Sequence, residues 1–79
     1  MHDSSVAEGI VDAVKGYAGL KAVYVLVGRD TCLRPDMLVD SFNIVKKGTP
    51  AENADLVVLP GPGDEVSVLS VEVENRDEK

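Results

Sequence analysis

The sequence predicts an α+β domain in which two helices pack on one face of a three-stranded β-sheet, in the order helix, strand, helix, strand, strand. Three observations predict it. Two stretches repeat apolar residues at helical spacing, and three others are short, rich in valine and bounded by Gly or Pro. The length of 79 residues allows one domain only, with a small core. The composition, 44% hydrophobic and 28% charged, is that of a globular chain.

The first helix follows Asp3, Ser4 and Ser5. Val6, Ile10, Val14 and Tyr17 recur on one face, and Ala7, Val11, Ala13 and Ala18 widen it. Ser5-Val6-Ala7-Glu8 has the form of a capping box. Gly9 and Gly16 each weaken the interior by about 1 kcal/mol relative to Ala, and Gly19 is the expected stop.

The first strand is Lys21 to Gly28. Val23, Val25 and Val27 share one face, and Ala22, Tyr24 and Leu26 share the other. Both faces are apolar, yet two helices cover only one face of a sheet in so short a chain. The sequence therefore predicts an interface through Tyr24 and Leu26, with a homodimer as its simplest form.

A polar loop from Arg29 to Arg34 leads to the second helix. Pro35 suits a first helical position and Asp36 suits the positive end of the helix dipole. Leu38, Phe42 and Val45 define its buried face. Lys46 and Lys47 fit the last turn, and Gly48 and Pro50 end it.

Ala54 to Leu59 and Val66 to Val73 are the remaining strands. Pro60-Gly61-Pro62-Gly63 between them predicts a turn that closes an antiparallel hairpin. The apolar phase of the last strand slips at 68/69, which predicts either a bulge or a buried stretch. The domain is expected to span 1–74, with 75–79 a flexible acidic tail.

Charge and cysteine content exclude several functions. Eight basic and 14 acidic residues give a net charge of −6, unsuited to wrapping nucleic acid. No apolar run is long enough to cross a membrane. No basic region precedes an apolar run at the N-terminus, so the expected location is cytoplasmic. Cys32 is the single cysteine and His2 the single histidine, too few for a disulfide or a four-ligand structural zinc site. Cys32 lies near Arg29 and Arg34, but no second His completes a nucleophilic site, and no catalytic residues are expected. Gly61-Pro62-Gly63 lacks the Lys-Ser/Thr of a phosphate loop.

One metal-binding option remains. Met1 and His2 put an α-amine, a backbone amide and an imidazole within two residues, and these can close two fused chelate rings on one ion. Planar nitrogen ligation of this kind suits Ni(II) or Cu(II). The same residues are also compatible with an ordinary solvated terminus.

Several fragments coincide with one pattern. Met1-His2-Asp3-Ser4-Ser5-Val6-Ala7, continued by Ile10-Val11, is one. Gly28 followed by Pro35-Asp36-x-Leu38 and Phe42 is a second. Gly48-Thr49-x-Ala51-Glu52-x-Ala54-x-Leu56 is a third, and Val71-Glu72-Val73-Glu74 closes the chain. Together they resemble the hydrogenase nickel-incorporation proteins of the HypA/HybF type. That resemblance implies two helices against a three-stranded sheet and a nickel metallochaperone without catalysis. Its cargo would be Ni(2+), held by His2 with the Met1 amine and the amides around Asp3. Asp3 stands where the family has Glu, one methylene longer. The implied partners are a nickel-enzyme precursor, such as that of a [NiFe] hydrogenase, and accessory maturation proteins. In the family, a zinc subdomain with two Cys-x-x-Cys pairs lies between the second and third strands, and this sequence has no counterpart there. No zinc is therefore expected. The alternative is a protein-interaction module that keeps the fold without the metal.

Overall fold

The computed structural model of the chain describes residues 3–74. The elements are α1 (Asp3–Val14), β1 (Leu20–Gly28), a 3-10 turn (Arg29–Thr31), α2 (Pro35–Val45), β2 (Asp55–Gly61) and β3 (Val66–Val73). Element order and fold class agree with the sequence reading. The expected tail at 75–79 lies outside the described residues.

α1 already includes Asp3, so Ser5 lies inside the helix and forms no capping box at its start. The helix ends at Val14, ahead of Gly16. Tyr17 therefore falls beyond it and is 51% exposed rather than buried. Gly19 takes φ +70° between the helix and β1, a conformation open to glycine at little cost. α2 begins with Pro35 at its first positions, as expected. Lys46 closes it, its amide donating to the Phe42 carbonyl, and Gly48 follows at φ +76°.

The core lies between the two helices and the valine face of β1. Val23 and Val25 are fully buried against Ala7, Val14, Leu38 and Phe42 in one cluster. Burying a side chain of this size stabilises by about 1.5–3 kcal/mol. Among the described residues no polar or charged residue is buried.

The sheet corrects one expectation. Its order is β2-β1-β3, so β2 and β3 are not neighbours and form no hairpin. β1 and β2 are parallel, with Ala22 opposite Asp55 and Gly28 opposite Gly61. β3 lies antiparallel to β1 on the other side. The reason is topological. A strand, a helix and a second strand joined by short links form a crossover unit, whose strands run parallel. β2 therefore ends at the same end of the sheet as β1, and the chain must pass over β1 to reach the opposite edge.

Residues 62–65 make that passage. Four extended residues reach about 13 Å, enough to cross two strand spacings of about 4.8 Å each. The passage is pinned to the end of β1: the Gly28 amide donates to the Glu65 carbonyl (2.9 Å) and the Asp30 amide to the Gly63 carbonyl (2.8 Å). A β-carbon on Gly28 would collide with the Gly63 carbonyl, and Gly63 itself sits at φ +84°. The glycines thus serve a crossover rather than a hairpin.

Of the two outcomes expected at 68/69 in β3, the bulge is present. Tyr24 pairs with Ser70 and Val25 with Val68, which leaves Leu69 as the extra residue. Leu69 is 51% exposed.

Candidate functional site

The metal site expected at Met1, His2 and Asp3 is only partly within view. Met1 and His2 lie outside the described residues. Asp3 is the first residue of α1 and is half-buried. Its carboxylate stands at the positive end of the helix dipole. Among the described residues, no three His, Cys, Asp or Glu side chains gather where they could hold a metal ion.

The start of α1 faces the crossover. Ser5 and Val6 share a groove with Asp64, Glu65 and Val66. The position of Glu65 follows from the two backbone bonds that fasten the crossover to β1. A hairpin turn at residues 60–63 does not bring Asp64 and Glu65 to the start of α1, so the sequence misses that they come beside Ser5 and Val6. No local signal in the sequence carries that information, because it depends on the strand order.

The two expected interface residues both lie on the sheet face away from the helices. Tyr24 and Leu26 are half-buried there. The Tyr24 hydroxyl donates to a Glu72 carboxylate oxygen at 3.2 Å. The negative charge of Glu72 and this hydrogen bond push the phenol pKa above its ordinary value. The Leu26 side chain covers Gly61, where a β-carbon would lie 2.7 Å from its Cγ. Register places Val57 beside Tyr24 and Leu59 beside Leu26 on the same face. The apolar strip therefore has two members that the sequence reading omitted. The alternation in β2 held the signal for them, but only the parallel register tells which face it serves.

Cys32 follows the 3-10 turn. It is exposed and has φ 64°, the sole non-glycine residue with positive φ among those described. Thr31 organises this bend: its hydroxyl donates to the Gly28 carbonyl (2.8 Å) and accepts from the Leu33 amide (3.2 Å).

Comparison with known proteins adds three findings. A sequence model of the family described as hydrogenase/urease nickel incorporation, metallochaperone, hypA matches residues 1–72. The chain is 33% identical over 69 residues to the hydrogenase maturation factor HypA of Cereibacter sphaeroides (strain KD131 / KCTC 12085), an alignment covering 80% of this chain and 61% of that protein. It thus spans about three-fifths of the length of that relative. The fold is similar to the solution structure of the Ni metallochaperone HypA from Helicobacter pylori, with a TM-score of 0.75 at 16% identity, covering 92% of this chain and 97% of that one. With a match that takes in both helices, all three strands and the opening residues, this chain belongs to the HypA family of nickel-incorporation metallochaperones.

Proposed function

We propose that this chain is a nickel carrier that takes part in maturation of a nickel enzyme, such as a [NiFe] hydrogenase, and is not itself a catalyst. The observation that carries the reading is the family match, which starts at residue 1 and so includes Met1, His2 and Asp3. In this reading the Met1 amine, the His2 amide and the His2 imidazole hold Ni(2+) as transient cargo. Asp3 contributes its amide or an outer contact from its carboxylate. Residues 1–74 act as a single domain with 75–79 as a tail, without a zinc centre. The partners are the enzyme precursor and accessory maturation proteins, and the location is cytoplasmic. A homodimer through the face of Tyr24 and Leu26 belongs to the same reading. Sedimentation that shows only monomer at high concentration overturns that part.

The test is a Ni(II) titration of protein with its native terminus, followed by calorimetry. The parent binds one ion per chain. His2→Ala loses binding, and so does a variant extended before Met1, because the α-amine is gone. Affinity falls as pH is lowered, since amine, imidazole and amide must all lose protons to bind. Equal binding by all three proteins overturns the assignment.

A second reading has its own observation. The strip formed by Tyr24, Leu26, Val57 and Leu59 leaves a sheet face partly uncovered, and Leu59 is 39% exposed. An interaction module would use this face without metal. Partner capture that is unchanged by chelator and by His2→Ala favours this reading over the first.

A further inference from the structure

β3 is hydrogen-bonded to β1 on one side, and its other side is an edge of the sheet. Every residue from Val66 to Val73 keeps some exposure to solvent. An open edge offers alternate backbone amides and carbonyls to any strand that reaches it. Proline and lysine are common means of blunting such an edge. β2 carries Pro60, whereas β3 contains neither residue type. The bulge at Leu69 twists β3 but leaves Val66, Ser67 and Val68 in uninterrupted register with β1.

Beside this edge the helical layer is incomplete. A groove runs between α1 and β3, lined by Val6, Gly9, Ile10, Ala13, Val66 and Val68. It continues past Val6 and Val66 to Ser5, Asp64 and Glu65. Gly9 helps to create it, since a β-carbon there would meet nothing within 4 Å. The groove lies on the sheet face where the inward side chains of a fourth strand would fall.

The charge selects the occupant. Residues 64–74 include Asp64, Glu65, Glu72 and Glu74 and contain no Lys or Arg. A second copy of β3 paired antiparallel would bring the acidic segments 64–65 and 72–74 against one another, and like charges facing across strands destabilise a pair. A strand that alternates apolar and basic residues suits both the groove and the charge.

We propose that the β3 edge and the α1 groove together receive an extended, basic segment of a partner protein as a fourth strand. Its β-branched side chains enter the groove. Its Lys or Arg residues meet Asp64 and Glu65 at one end and Glu72 on the open face. The site uses none of residues 1–3, so it is separable from nickel binding.

The test is titration of a labelled nonapeptide of alternating Val and Lys into the full chain, with NMR mapping. Binding is expected to saturate, to shift amides within 5–13 and 64–73, and to protect β3 amides from exchange. Raising salt from about 0.05 M to about 0.5 M weakens it about tenfold. A matched peptide of Val and Glu does not bind. Gly9→Leu fills the groove while improving helix propensity, so the variant melts no lower than the parent. It loses affinity for the peptide by about tenfold or more, and His2→Ala binds as the parent does. Equal binding of the acidic peptide or full binding by Gly9→Leu overturns the proposal. So do shifts elsewhere in the molecule, or β3 amides already protected in a dimer of the chain alone.

Discussion

The two outer strands share one neighbour and live in different environments. β2 runs parallel to β1 beneath α2, with Leu56 buried. β3 runs antiparallel to β1, next to α1, and none of its residues is buried. The parallel strand is held by a helix that the crossover places over it. The antiparallel strand is reached by a four-residue passage that brings no covering element. Strand direction thus decides which edge is packed and which is left to bind.

Substitutions can break this contrast at three levels. The largest effect belongs to Phe42→Ala, which removes a fully buried ring from α2. It is expected to cost about 3–5 kcal/mol, a large part of the stability of so small a domain, as measured by urea denaturation. A loss below about 1 kcal/mol would mean that the packed side is not what holds the fold.

Gly28→Ala acts between the two sides. Its β-carbon meets the Gly63 backbone, so the passage must shift. A cost of about 1–3 kcal/mol is expected. Hydrogen exchange should show the Gly28 and Asp30 amides losing protection first, because their acceptors lie in the displaced segment. Unchanged protection at both amides would show that the passage is not fastened there.

The smallest effect lies on the exposed side. Tyr24 has its pKa raised above 10.0 by Glu72. A raised folded pKa means that the interaction stabilises below the unfolded value near 10 and is lost as pH rises through the folded value. Ultraviolet titration should show the Tyr24 phenol ionising late, and Glu72→Gln should return it toward the ordinary value. An identical titration in that variant would remove the contact between β1 and β3 on this face.

The elements were legible in the sequence because they rest on local patterns. Pro35 marked the start of α2, and the slip between Val68 and Leu69 located the bulge. The end of α1 was read too far along, since the spacing of Tyr17 fits a helix that Gly16 does not sustain. The hairpin failed for a different reason. Pro60, Gly61, Pro62 and Gly63 specify a change of direction, but local chemistry is the same whether the chain turns back beside β2 or crosses β1. The strand, helix and strand order from β1 to β2 held the answer, because such units are parallel. The ligand set proposed at residues 1–3 rests on residue chemistry alone, whereas the approach of Asp64 and Glu65 to the start of α1 depends on the crossover and has no local sequence signal.

The central position of β1 also shapes how the chain folds. Its residues pair only with partners at Asp55 and later. During synthesis, the valine-rich strand is made before either partner and must wait, with both edges open, until β2 and β3 have been added. Folding dominated by such distant pairings is slow, and the waiting strand is exposed to aggregation. The interval before β2 and β3 arrive is therefore when the edges of β1 are most open to pairing with another chain.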